Sequence, residues 1–186
     1  MMYLNKIKRT VILIYILFSL FQLAFAGTPK EKSDNDTAIQ NAILYYINEY
    51  RQQHGLNTLN MDNRIVKEAK QHSLDMANHK IPFGHKYFKG RIDRLHSQIK
   101  DSNAGAENVA FNYKDAQDVV KNWLRSPGHK QNIDGNYNLT GIGIARDKNG
   151  KIYFTQIFLK TGANTKYAAR KPFNALFNGT LFRKTT

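Results

Sequence analysis

TGIGIARDKNGKIYFTQIFL, residues 140–159, is the stretch that decides how this chain folds. Thr140–Ala145 alternates glycine with isoleucine, and Ile152–Leu159 is rich in isoleucine, phenylalanine and tyrosine. β-Branched and aromatic residues in short runs predict strands, and Asp147-Lys148-Asn149-Gly150 between them is hairpin-turn chemistry. Upstream the period changes. Ile39, Ala42, Ile43, Tyr46, Ile47 and Tyr50 recur at helical spacing, with Asp36 or Thr37 as cap and His54-Gly55 as stop. Asp62 caps a second helix whose apolar positions include Ile65, Val66, Ala69, Leu74, Met76 and Ala77, ending before Pro82.

Residues 81–106 read as a long connection with a short helical turn around Arg91–Leu95. Glu107–Phe111 reads as a short strand, Asp115–Leu124 as a helix, and Ser126-Pro127 as cap and first turn of a brief helix through Ile133. Helices first, a hairpin last and a small sheet between them predict an α+β domain packed in layers.

Both ends of the chain read differently from this middle. Lys6, Lys8 and Arg9 precede an uncharged, mostly apolar run, Val11–Ala26, that closes on Ala24-Phe25-Ala26. That is the build of a cleaved signal peptide over residues 1–26, and the run is short for a membrane anchor. Residues 27–36 read as a flexible lead-in, 37–162 as the domain, and 163–186 as a basic, aromatic tail of unassigned structure. The chain has no cysteine, which excludes a lipoprotein anchor and a disulfide framework. The sequons at Asn35, Asn138 and Asn178 are then chance matches. The leader holds three of the 28 basic residues, leaving 25 against 14 acidic ones. Such a charge favours contact with polyanions (nucleic acid, anionic lipid or acidic envelope polymers) or else is a solvated surface, and no nucleic-acid motif accompanies it.

An ordered set of motifs carries a resemblance. Asn48, Arg51, Gly55-Leu56, Leu59 and Asp62 come first, followed by Ala69, His72 and Met76. Then come Phe83-Gly84-His85, Glu107-Asn108, and Trp123 with Ser126-Pro127-Gly128-His129. Gly141-Ile142-Gly143 and Gln156-Ile157-Phe158 close the order. From residue 38 to about 160 the chain resembles bacterial CAP-domain (SCP-like) proteins. The resemblance implies a three-layer α-β-α sandwich with a small, mainly antiparallel sheet. It also implies a central cleft lined by two histidines and acidic residues. Many eukaryotic members have a second glutamate where this chain has Ser126. Their Gly-Glu-Asn motif is here Gly105-Ala106-Glu107-Asn108.

His85, Glu107 and His129 are therefore the candidate cleft residues, for catalysis as for ligand binding. Two imidazoles and a carboxylate would supply three ligands of an open site for a divalent metal such as zinc, with His85 and His129 the metal candidates. The same residues would equally serve as a hydrogen-bonded cluster holding loops to the sheet. Asn48, Arg51, His72, Trp123 and Ser126 are read as structural: Arg51 anchors its helix, Trp123 is core, and the Ser126 hydroxyl caps backbone N–H groups. His72 fastens the second helix to a neighbour, too far along a helix from His79 to share a zinc. His54 sits favourably at a helix end, and His96 has no nameable partner.

Three functions compete: a binding module for a metal-assisted or lipid-like ligand, a peptidase-like hydrolase using the cleft, and an envelope-polymer interaction protein. Each is expected to be extracytoplasmic (secreted or periplasmic), monomeric, without a membrane span after cleavage and without specific nucleic-acid binding.

Overall fold

The computed structural model describes residues 29–162; the expected leader and basic tail lie outside them. Helix α1 (Pro29–Gln53) is followed by strand β1 (Asn60–Met61), α2 (Asn63–Ala77), α3 (Phe88–Gln98) and β2 (Ser102–Phe111). Then come α4 (Ala116–Arg125), α5 (Pro127–Asp134), β3 (Leu139–Arg146) and β4 (Ile152–Thr161). The sheet order is β1-β3-β4-β2; β1 runs parallel to β3, and the other pairs are antiparallel.

Alternation along the hairpin sorts the side chains into two layers. Ile142, Ile144, Phe154 and Phe158 face α1, α4 and α5, where they meet Ile43, Ile47, Val119, Val120, Trp123 and Ile133. Leu139, Ile157 and Leu159 face α2 and α3, against Ile65, Ala69, Ile92, Leu95 and Ile99. Helices therefore cover both faces of a small, mainly antiparallel sheet, as the resemblance implies.

The Gly-Ile-Gly alternation has a steric cause. A Cβ on Gly141 would lie 2.3 Å from the Ile65 carbonyl carbon, and one on Gly143 would lie 2.1 Å from that of Ala69. The backbone of α2 thus rests directly on β3, and only glycine leaves room for it.

Four points differ from the sequence reading, besides the short strand β1 at Asn60–Met61, which it does not contain. The first helix begins at Pro29, inside the stretch read as a lead-in; proline's fixed φ suits a first helical position. The turn near Arg91 is a full helix, because Arg91, Ile92 and Leu95 are all buried on one face. Strand β2 starts at Ser102 rather than Glu107, since pairing with β4 extends to Thr161. Finally, Ser126 occupies the N-cap position of α5, but its hydroxyl makes no capping hydrogen bond. It is also the last cap of α4, with its N–H bonded to the carbonyls of Asn122 and Trp123, so one residue joins two helices.

Among the described residues no helix is long and apolar enough to cross a membrane.

Candidate functional site

Strand β2 is an edge of the sheet, and consecutive residues on it send side chains to opposite faces. Glu107 points to the α2/α3 layer and Asn108 to the α4/α5 layer, as their hydrogen-bond partners show. Each organises one histidine.

Glu107 is a buried carboxylate, its side chain 1% exposed. Arg91 of α3 clamps it with both arms: Nε donates to Oε2 at 2.8 Å and Nη2 to Oε1 at 2.7 Å. This planar fork is the strongest pairing a guanidinium offers. Oε1 also lies 2.9 Å from His85 Nδ1 and 3.7 Å from His72 Nε2. Burial pushes the Glu107 carboxyl upward. The hydrogen bonds from His85 and Arg91, with the Arg91 charge, outweigh that and hold it below its usual range. An ionised carboxylate only accepts, so His85 Nδ1 carries a proton, and in the neutral imidazole Nε2 holds the lone pair. The His85 side chain is 51% exposed.

The connection between α2 and α3 is pinned to this cluster at three successive residues. His72 Nε2 meets the Gly84 carbonyl at 2.8 Å, His85 meets Glu107, and Arg91 Nη1 donates to the Lys86 carbonyl at 2.8 Å. The Gly84 carbonyl can only accept, so Nε2 carries the proton although Arg91 Nη2 also lies 3.2 Å from it, and buried His72 Nδ1 is left an acceptor with no hydrogen-bond partner among the described residues. Burial is the main reason the His72 imidazole is held below its usual pKa. Gly84 (φ +133) and Tyr87 (φ +64) lie in left-handed backbone regions. For tyrosine this costs on the order of 1 kcal/mol, sustained here by the surrounding hydrogen bonds.

Across the strand, Asn108 Nδ2 donates to the His129 carbonyl at 3.1 Å, and its Oδ1 accepts from Asn132 at 2.8 Å. Asn132 also bonds the outer carbonyl of Glu107 at 3.1 Å, and Trp123 Nε1 bonds that of Val109 at 3.2 Å. The helices of the second layer thereby close the edge of β2. The half-buried His129 ring sits 6.4 Å from Trp123. Its pKa is lowered, by burial first and then by the nearness of His85. His85 is thus held on the α2/α3 side of β2 and His129 on the α4/α5 side.

The candidates thus divide. His85 and His129 flank the edge of β2, while Glu107 stands behind His85, already engaged. His72, read as a fastener, joins the Glu107 cluster. Arg91 and Asn132 organise the site without standing out in the sequence; the signal available for Arg91 is an arginine on the buried face of a helix. Arg51 is 1% exposed and donates to the carbonyls of Asn57, Ile133, Gly135 and Tyr137. Asn48 brackets Leu59 through its N–H and carbonyl. His54 stacks on Tyr50 at 4.0 Å, His96 bonds Ser102 at 2.8 Å, and His79 lies beyond α2 with φ +56. Among the described residues no group of three or more histidine, aspartate and glutamate side chains is arranged to hold a metal ion.

Comparison with known proteins agrees with this architecture. The YlbC protein of Bacillus subtilis, described as an uncharacterized membrane protein, is 34% identical over 140 residues. That alignment takes in 71% of this chain and 39% of YlbC, so the chain spans about two fifths of that relative's length. An extracellular SCP-domain protein of Bacillus anthracis superposes with a TM-score of 0.61 at 23% identity, covering 73% of this chain and 44% of that one. An outer surface protein of Borrelia burgdorferi gives 0.58 at 23% identity, over 66% of this chain and 92% of that one. Residues 44–158 match the CAP family, the cysteine-rich secretory protein family, and the chain belongs to it.

Proposed function

We propose that this protein is an extracytoplasmic binding module whose ligand is taken between His85 and His129. One observation carries the reading: Glu107, locked by Arg91, accepts from His85 Nδ1 at 2.9 Å. A carboxylate behind an imidazole fixes its tautomer and ring orientation. His85 therefore offers Nε2 as an acceptor or metal ligand at a half-exposed position.

The donor chemistry limits what a metal would find. Both Glu107 oxygens are engaged by Arg91. A divalent ion would take its protein ligands from the His85 and His129 imidazoles and leave its other positions to a ligand or solvent. Two imidazoles make a site of modest affinity. The same engagement argues against Glu107 as a general base, because a carboxylate held by a guanidinium and an imidazole has little proton affinity to spare. Binding is favoured over hydrolysis on that ground. The predicted leader and the character of the relatives (an extracellular protein, an outer surface protein, a membrane protein) support a place outside the cytoplasm.

Calorimetric titration with zinc tests the site. Binding should be at least about tenfold weaker in either His85→Ala or His129→Ala, a change of about 1.4 kcal/mol. Titration curves unchanged by both substitutions would remove the two-histidine reading.

A further inference from the structure

The segment joining α2 to α3 carries the two most exposed large apolar side chains in the described residues, Phe83 (54%) and Tyr87 (66%). Exposed His85 lies between them. Phe83 rests against Phe111 at the end of β2, with ring centroids 6.1 Å apart, and Phe111 rests on Tyr153 at 4.6 Å. Two lysines complete the surface. Lys86 Nζ lies 5.1 Å from the centre of the Tyr87 ring and Lys151 Nζ lies 5.5 Å from that of Phe111.

A third lysine, Lys130, also lies over a ring, 5.4 Å from the centre of Tyr50, but it has a carboxylate partner. Lys80, Lys89 and Lys130 are each paired with an aspartate, namely Asp75, Asp93 and Asp134. Among the described residues Lys86 and Lys151 have no carboxylate at ion-pair distance, and each sits over a ring instead. Residues 79–89 contain no acid. The one nearby acid on the hairpin, Asp147, is occupied in the turn by the N–H groups of Asn149 and Lys151. Solvent-facing rings usually cost a protein solubility, yet here the backbone beneath them is fastened at Gly84, His85 and Lys86. A surface held rigid before its ligand arrives loses less entropy on binding.

We infer that Phe83, Lys86, Tyr87 and Lys151, with Phe111 beneath, form a docking surface for an anionic polysaccharide. A pyranose ring has an apolar C–H face that lies flat on an aromatic side chain, and its carboxylate or phosphate substituents meet the ammonium groups. Charge complementarity selects this occupant over a neutral glycan. The extracytoplasmic reading above, on which this inference rests, favours it over a nucleic acid, whose bases would also stack on such rings.

Purified chain lacking residues 1–26 should be measured against immobilised hyaluronan, dextran, poly-glutamate and oligo-dT in low salt. Hyaluronan supplies both sugar rings and carboxylates and should bind. Dextran, poly-glutamate and oligo-dT should each bind at least about tenfold more weakly. The double variant Phe83→Ser/Tyr87→Ser should lose about tenfold in hyaluronan affinity. Lys86→Gln/Lys151→Gln should lose a similar factor and show a shallower salt dependence. Lys114→Gln/Lys121→Gln, which removes the same charge before and within α4, should stay within about twofold. Thermal unfolding checks that each variant folds, and Phe83→Leu/Tyr87→Leu replaces the serine pair if it does not.

Poly-glutamate or oligo-dT bound as tightly as hyaluronan, equal losses in the Lys114/Lys121 control, full binding by the ring variants, or no hyaluronan binding would each overturn the inference. Cell fractionation tests the location separately, so a protein found in the cytoplasm would leave this result standing on its own.

Discussion

Glu107 and Arg91 form a buried ion pair with most of their hydrogen-bonding capacity used, and such pairs behave asymmetrically. Removing one member leaves the other charged and alone in a medium that solvates it poorly. Glu107→Gln should therefore destabilise the fold by about 3–5 kcal/mol in urea unfolding and release the His85 ring. Arg51 is held by carbonyls instead, so Arg51→Met leaves several buried acceptors unpaired and should cost about 3 kcal/mol or more. The buried histidine adds a pH dependence whose sign is fixed. His72, held below its usual pKa chiefly by burial, binds a proton more readily unfolded than folded. Stability should then fall as pH drops below about 6.5, the ordinary imidazole value. Glu107 is also depressed, so its contribution is present above about 4.3 and is lost as pH falls further. The urea midpoint should decrease between pH 7.5 and 5.5, and His72→Gln should reduce that decrease, leaving the share that His129, also depressed by burial, supplies. A His72→Gln profile as steep as the parent's would place the titrating group elsewhere.

At the scale of elements, the approach of α2 to β3 is set by two glycines. A methyl group on Gly143 would meet the Ala69 and Lys70 backbone near 2.1 Å, which no side-chain rotation relieves. Gly143→Ala should cost at least the 1–3 kcal/mol or so typical of overpacking, read as a lowered thermal midpoint. Loss there, together with little change in Gly128→Ala, where a Cβ meets nothing within 4 Å, would separate contact from propensity.

The legibility of these elements from sequence follows the same physics. Amphipathic α2 and α4 announce themselves by period, with Asp62 and Asp115 capping them as side-chain acceptors. The α3 helix reads too short from sequence because one of its three buried residues is Arg91, a charge that periodicity counts as solvent-facing. The first half of β2, Ser102–Gly105, has no alternating pattern; its pairing with β4 is a tertiary fact that local residues do not encode. Ser126 has the right residue type for a cap, yet its place as a one-residue joint between helices is set by the geometry of both. At the site, the motifs mark His85, Glu107 and His129. Only the folded arrangement shows that Glu107 stands behind His85 instead of lining the cleft.

Over the described residues the molecule is a thin sheet between two helical layers, with His85 held on one side of β2 and His129 on the other. That placement couples the site to the packing of both layers, since Asn108 and Asn132 hold His129 while Arg91 and Glu107 hold His85. Export is tested at this scale: N-terminal sequencing of the protein recovered outside the cytoplasm should begin at Gly27. A retained leader would instead indicate an anchored form.

The arrangement of protons around Glu107 is the point on which the functional reading turns, and long-range 1H–15N correlation of the histidine rings at pH 7.5, recorded during a zinc titration, reads it directly. His85 should appear as the Nδ1–H tautomer and His72 as the Nε2–H tautomer. Added zinc should shift His85 Nε2 and the His129 ring while leaving His72 in place. His85 in the Nε2–H form, or His85 and His129 both indifferent to zinc, would contradict the account.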